Sequence, residues 1–296
     1  YLLTQFFWQH VSEDRPLAMI SVLSTEGSTY SKAGNQMLVN SSGDFRGMLS
    51  GGCLEGDLAE RSIKVINNEI PEVFTYDLRG DDDIFGLGVG CDGSITILIQ
   101  PLNKKNEYQP FRNLLETLEI NPNLEILQKD MDLDFDISDI KAPVRILILG
   151  AGIDVDPLVT FGTLLGWDVS VSDYRPAFLK RMKENIDVKT LCIPHTKLDS
   201  ELNLSSFDAA IVMSHNLIAD RSYLKILFKS SIKFIGLLGP ANRKERLLKD
   251  LKLESKMFHD RLRSPVGKKI GGRGPAAIAL EIAAELQSYF HNNKKY

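Results

Sequence analysis

The sequence predicts an α/β protein in two parts. The first is an N-terminal mixed α/β domain built around glycine-cysteine loops. The second is a C-terminal doubly wound parallel sheet. Three observations carry this reading. The chain has 296 residues, more than one ordinary domain needs. Beyond residue 143, apolar strand-like runs alternate with helix-like stretches. Before residue 104, two glycine-rich clusters each carry a cysteine at a strand boundary. The predicted boundaries are residues 1–103 for the first domain, 104–142 for a connecting region and 143–296 for the second domain.

Composition narrows the class. The chain is 43% hydrophobic and 25% charged, as in a globular protein. A formal net charge of −4 argues against a general nucleic-acid surface. No apolar run approaches the ~20 residues that span a bilayer, so no membrane partner is expected. Three cysteines, Cys53, Cys91 and Cys192, fit free thiols in the cytoplasm. They form no CxxC pair, and no HExxH occurs.

In order, Tyr1 to Val11 reads as a helix and Leu17 to Leu23 as a buried strand. Gln36 to Val39 and Asp44 to Leu49 read as a hairpin across the turn cluster Asn40-Ser41-Ser42-Gly43. Ser50-Gly51-Gly52-Cys53 then leads into a helix, Leu54 to Asn67, whose first turn carries Glu55 and Asp57, acids suited to a helix start. Glu72 to Leu78 is a strand. Gly86 to Gly93 is the second glycine cluster, with Gly90 and Cys91 at its centre. Ser94 to Gln100 is a strand, and Phe111 to Leu118 a helix.

Val144 to Leu149 has the continuous apolar character of a strand buried on both faces. Gly150-Ala151-Gly152 follows, then a helix to Leu165. Trp167 to Val171 is the next strand, ending near Asp173. A third strand is expected around Lys189 to Cys192, with Cys192 in the core. Asp208 to Met213 and Lys233 to Leu237 are later strands. Helices lie at Phe178 to Asn185, Arg221 to Ser230, Arg243 to Leu251 and Ala276 to Tyr289, the last led by Pro275.

The Gly150 turn and the spacing to Asp173 make this second domain Rossmann-like. The fingerprint is partial, because Val155 holds the third glycine's place. Asp154 and Asp156 would repel a pyrophosphate at the helix start unless they point away. Ligands of open sheets collect outside the strands' carboxyl ends. The candidates there are Gly150 and Gly152, Asp173 with Arg175, His215 with Asn216, and Gly239 with Arg243. In the first domain the candidates are Gly51, Gly52, Cys53, Gly90 and Cys91. Small residues let a backbone approach a ligand, and a helix start favours a thiolate. The alternative is a tight turn with a packed, inert cysteine.

These segments resemble the xanthine dehydrogenase accessory proteins, the XdhC/CoxI family. The matching stretches are GSTYSKAGNQMLV (Gly27 to Val39), GMLSGGCLEGDL (Gly47 to Leu58), FGLGVGCDGSITILI (Phe85 to Ile99), ILGAG (Ile148 to Gly152), WDVSVSDYRPAFL (Trp167 to Leu179), VMSHN (Val212 to Asn216), FIGLLGPANRKERLL (Phe234 to Leu248) and SPVGKKIGG (Ser264 to Gly272). The resemblance implies a cytoplasmic chaperone that binds molybdenum cofactor (molybdopterin) and supports its sulfuration with a cysteine desulfurase. It would deliver the cofactor to the apoenzyme of a molybdenum hydroxylase of the xanthine dehydrogenase type. A homodimer is also implied. A thiolate is a soft donor for molybdenum and an attacking group in persulfide exchange. Cys53 is therefore the first-choice catalytic thiol and the candidate metal ligand, and Cys91 is the second-choice catalytic thiol, with Asp92 beside it at a position that varies in the family. The competing readings are an NAD(P)-dependent oxidoreductase working through the second domain, and a scaffold whose thiols are inert.

Overall fold

The structure is a computed structural model and describes residues 2–78, 93–120, 143–251 and 260–292. The chain divides into two compact units, residues 1–142 and 143–296.

The first unit is built on an antiparallel sheet of order β3-β2-β1-β5-β4. Its strands are β1 (Leu17–Gly27), β2 (Gln36–Asn40), β3 (Phe45–Arg46), β4 (Glu72–Asp77) and β5 (Gly93–Leu102). Its helices are α1 (Leu2–Ser12), α2 (Glu55–Asn68) and α3 (Phe111–Ile120). Strand periodicity explains the apolar run in β1, because alternate residues serve two cores. Leu17 and Met19 pack with Phe7 of α1 and Phe111 of α3 on one face. Ala18, Ile20 and Val22 pack with Leu58, Val65 and Ile66 of α2 on the other. Phe111 and Leu115, from the stretch predicted to be connecting, lie in this first core.

β3 is shorter than the Asp44 to Leu49 strand the sequence suggests. Gly47 ends it with φ +95°, and a Cβ there would lie 2.6 Å from the carbonyl oxygen of Gln36. The chain leaves the sheet at that glycine and enters the loop that carries Cys53.

The second unit is a parallel sheet of order β11-β10-β9-β6-β7-β8. Its strands are β6 (Arg145–Leu149), β7 (Asp168–Ser172), β8 (Lys189–Leu191), β9 (Ala209–Val212), β10 (Phe234–Leu237) and β11 (Leu262–Arg263). Its helices are α4 (Asp156–Leu164), α5 (Pro176–Asn185), α6 (Leu198–Glu201), α7 (Leu217–Leu227), α8 (Ala241–Asp250) and α9 (Pro275–Asn292). Ile146 and Ile148 of β6 face α4, α5 and α9, while Leu147 and Leu149 face α7 and α8. This is the doubly wound arrangement, with helices on both faces. Cys192 is exposed, contrary to the core position expected for it. β8 is a three-residue edge strand that ends at Leu191, so no neighbouring strand covers the next residue from outside.

The switch point lies between β6 and β9, which run parallel on either side of the place where strand order reverses. There the backbone of Gly150 (φ +127°) passes so close to β9 that a Cβ would meet the carbonyl oxygen of Met213 at 2.5 Å. Val155, in the third glycine's place, is fully buried. The close helix-to-strand approach falls instead at Gly162, where a Cβ would lie 2.7 Å from Val169 Cγ2. Among the described residues, no helix is long and apolar enough to cross a membrane.

Candidate functional site

The loop between β3 and α2 is shaped by one carboxylate. Glu55 opens α2, and its side chain folds back onto the residues before it. Its Oε1 accepts from the N–H groups of Leu49 and Ser50, both at 2.8 Å. Its Oε2 accepts from the N–H of Gly52 at 2.9 Å and from the hydroxyl of Ser50 at 2.5 Å. The Ser50 hydroxyl oxygen in turn accepts the N–H of Leu54 at 2.6 Å. Glu55 is 3% exposed. Burial pushes its carboxyl up, but the Ser50 hydroxyl and the loop N–H groups outweigh it and hold the group below the ordinary glutamate value. By sequence Glu55 reads only as a helix-start acid. The signal for its larger role is an acid directly after a glycine loop rich in orphan N–H donors.

Gly51 (φ +74°) and Gly52 (φ +111°) supply the left-handed backbone that this wrapping needs. Gly51 also makes room for the exposed ring of Tyr30, 3.5 Å from where a Cβ would stand. The space at Gly52 is open, with no atom within 4 Å of a Cβ. Cys53 is a free, half-buried thiol. It lines a cavity of about 10 Å³, room for one water, with Thr29, Tyr30, Ser50, Leu78 and Ile95. Gly90 and Cys91 lie outside the described residues.

On the far side of α2, Asp57 binds Arg61 at 2.8 Å and the hydroxyl of Tyr76 on β4. Arg61 reaches on to Glu72 at 2.7 Å. Burial and the Asp57 carboxylate both raise the Tyr76 phenol, keeping it a neutral donor. These contacts fasten the helix that bears Glu55 to the sheet.

In the second unit, the predicted residues meet at the carboxyl ends of the strands, but most are already partnered. Asp173 is fully buried. Its Oδ2 accepts the N–H of Ala151 at 2.8 Å, and Arg175 grips both oxygens, through Nε at 2.9 Å and Nη2 at 2.7 Å. Asp154 folds back over Gly152 and meets His215 Nε2 at 2.7 Å. A Cβ on Gly152 would collide with Asp154 Oδ1. Asp156 is held bidentately by Arg181 at 2.6 and 2.8 Å.

Asn216 caps α7, its Oδ1 accepting from Ile218 and Ala219 at 2.9 and 3.1 Å. Arg243 binds the buried Asp220 through Nε at 3.0 Å and Nη2 at 2.5 Å. Gly239 (φ +129°) gives Arg243 its path, since a Cβ would meet Arg243 Cδ at 2.6 Å. Asp220, Arg181 and Ser214 carry no sequence signal that singles them out. Ser214 donates to Asp220, which links the β9 end to the Arg243 pair.

An antiparallel unit presenting a clamped cysteine loop, joined in sequence to a Rossmann-type parallel unit, defines the class. The chain belongs to the XdhC and CoxI family. The family described by that name matches residues 10–77, and the XdhC Rossmann domain matches residues 146–286. The chain is 31% identical to a Bacillus subtilis protein named as a probable xanthine dehydrogenase subunit, over 93% of each chain. It is 22% identical to the Escherichia coli molybdenum cofactor insertion chaperone PaoD, over 91% of this chain and 82% of that one. A crystal structure of a xanthine dehydrogenase from Bacillus halodurans is 28% identical, with a TM-score of 0.76 over 97% of this chain and 95% of that one.

Proposed function

We propose that this protein is a cofactor-maturation chaperone. Its cargo is molybdenum cofactor, which it binds, supports through sulfuration and delivers to a molybdenum hydroxylase of the xanthine dehydrogenase type. The relatives named for xanthine dehydrogenase and for cofactor insertion support the cargo and the client. A cysteine desulfurase is the proposed sulfur source, and a cytoplasmic homodimer the proposed working form.

The observation that carries the reading is the Cys53 loop. The donor chemistry fits the cargo, because thiolate is a soft ligand that suits molybdenum. Among the described residues no three His, Cys, Asp or Glu side chains converge, so Cys53 would serve as a single protein donor to a metal that brings its own dithiolene. The backbone beside it is open at Gly52. Gly51 and Gly52 would give the pterin its approach, and Cys91 with Gly90 is the second proposed contact.

The oxidoreductase reading needs a dinucleotide on the second unit, through Gly150, Gly152, Asp173, Arg175, His215, Asn216, Gly239 and Arg243. The geometry weighs against it. A ribose would have to displace Arg175 and the Ala151 N–H from Asp173. A pyrophosphate would meet the carboxylate of Asp154 before the start of α4, where Asp156 is already engaged by Arg181. The test of the chaperone reading is cofactor content. Protein purified from cells that make molybdenum cofactor should release fluorescent pterin on denaturation, and a pterin-free preparation with saturable NAD(P)H binding would reverse the assignment.

A further inference from the structure

We propose that Glu55 is the positioning residue of the Cys53 loop, holding the thiol in place for its cargo without itself bonding the sulfur. The proposal rests on the chaperone reading only for its cofactor arm.

The loop has reasons to be mobile without a tether. Two of its residues are glycines at positive φ, the residue type that loses most freedom on ordering. The tether comes from a rigid element. Glu55 is the first residue of α2, and that helix is anchored by Leu54 and Leu58, 2% and 0% exposed. Being at the positive end of the helix, the carboxylate is favoured there as an anion. Its hydrogen bonds to three N–H groups and one hydroxyl are charge-assisted, the stronger kind.

The bonds also fall in a pattern. The residue before Cys53 is tied through the Gly52 N–H to Glu55. The residue after it is tied through the Leu54 N–H to Ser50, and Ser50 is tied to Glu55. Cys53 is thus fixed on both sides by one carboxylate, and no bond of the network ends on its sulfur. Glutamine at position 55 keeps the size but replaces one acceptor oxygen with a donor, which faces the Leu49 and Ser50 N–H groups in one orientation and the Gly52 N–H in the other. Aspartate keeps the charge but is one methylene too short to span all four donors.

The test compares native protein, Glu55→Gln and Glu55→Asp. The main readout is the peptide-resolved alkylation rate of Cys53 by iodoacetamide. Cys192, exposed in the other unit, is the internal reference. Freeing the loop should speed Cys53 alkylation about tenfold in both variants with the Cys192 rate unchanged. Amide exchange across residues 46–54 should rise with it, and recovered pterin should fall although Cys53 is still present. A fold-supporting role alone would raise amide exchange across the whole first unit rather than across residues 46–54, and would lower the melting temperature.

Native-like Cys53 alkylation in both folded variants overturns the proposal. Should either variant fail to fold, Ser50→Ala decides, since it removes one bond to the carboxylate and the Leu54 tie. A selective but smaller rise supports the role, and none overturns it. The two readings fail separately. Pterin-free native protein sinks the cargo assignment and leaves the alkylation result standing. Pterin loss at unchanged alkylation sinks the positioning role and leaves the cargo assignment.

Discussion

His215 Nε2 lies 2.7 Å from Asp154 Oδ2, so a side chain from the end of β9 bridges to one just beyond β6 across the switch point. His215 holds this position with φ +56°, a backbone conformation that costs a non-glycine residue roughly 1 kcal/mol or more. The bridge itself is half in solvent on the histidine side, 58% exposed, and exposed pairs contribute little. His215→Gly should therefore be more stable than His215→Ala by about 1 kcal/mol in urea denaturation. Equal stability of the two would mean that the strain is not there.

The same bridge places a carboxylate where a dinucleotide's phosphates would sit. Calorimetry of the native chain with NADH and NADPH should give no saturation below about 1 mM, or roughly −4 kcal/mol. Micromolar binding would show that Asp154 swings clear and would restore the oxidoreductase reading.

Asp173 supplies the third prediction. Were it a ribose ligand only, its removal would leave folding untouched. Fully buried and gripped by Arg175, it should instead matter for stability. Asp173→Ala orphans the Ala151 N–H and takes from Arg175, itself 27% exposed, its carboxylate partner, leaving it the Ser214 carbonyl and the Phe178 ring. The expected loss is about 3 kcal/mol by chemical denaturation, the low end for breaking a buried pair. A loss under about 0.5 kcal/mol, the size usual for ordinary surface changes, would contradict the structural role.

These three residues show how legible the molecule is. β6 and β9 are readable because both of their faces are covered, which forces continuous apolar runs. The Gly150 turn is readable because the backbone at Met213 allows nothing larger. The distance from Gly152 to Asp173 is readable too, but not its consequence. Arg175, two residues on, takes up the carboxylate, and spacing along a chain does not record which side chain reaches first. Glu55 is hidden for a similar reason, since an acid at a helix start looks the same whether it faces water or its own loop. Cys192 is misplaced because hydrophobicity does not distinguish an edge strand that stops at Leu191 from one that continues. β11, only Leu262 and Arg263, is too short to leave a pattern.

Asp57 sets a pH prediction. Burial pushes its carboxyl up, but hydrogen bonds from Tyr76 and Arg61 outweigh this and hold it below the ordinary aspartate value of 3.8. A carboxylate with a depressed folded value stabilises above its unfolded value and loses that contribution as pH falls through the folded one. Native protein should therefore lose melting temperature more steeply below pH 3.8 than Asp57→Asn does. Parallel curves for the two proteins would show that the α2–β4 contact is not electrostatic.

The most direct test of the central claim is the molybdopterin content of Cys53→Ser against native protein. Both would be purified from the same cofactor-producing cells and matched for folding by circular dichroism. Native protein should release fluorescent pterin on denaturation, and the serine variant about tenfold less, since a hydroxyl is a poor substitute for a thiolate at a soft metal. Equal pterin from the two proteins would remove Cys53 from the site and contradict the claim.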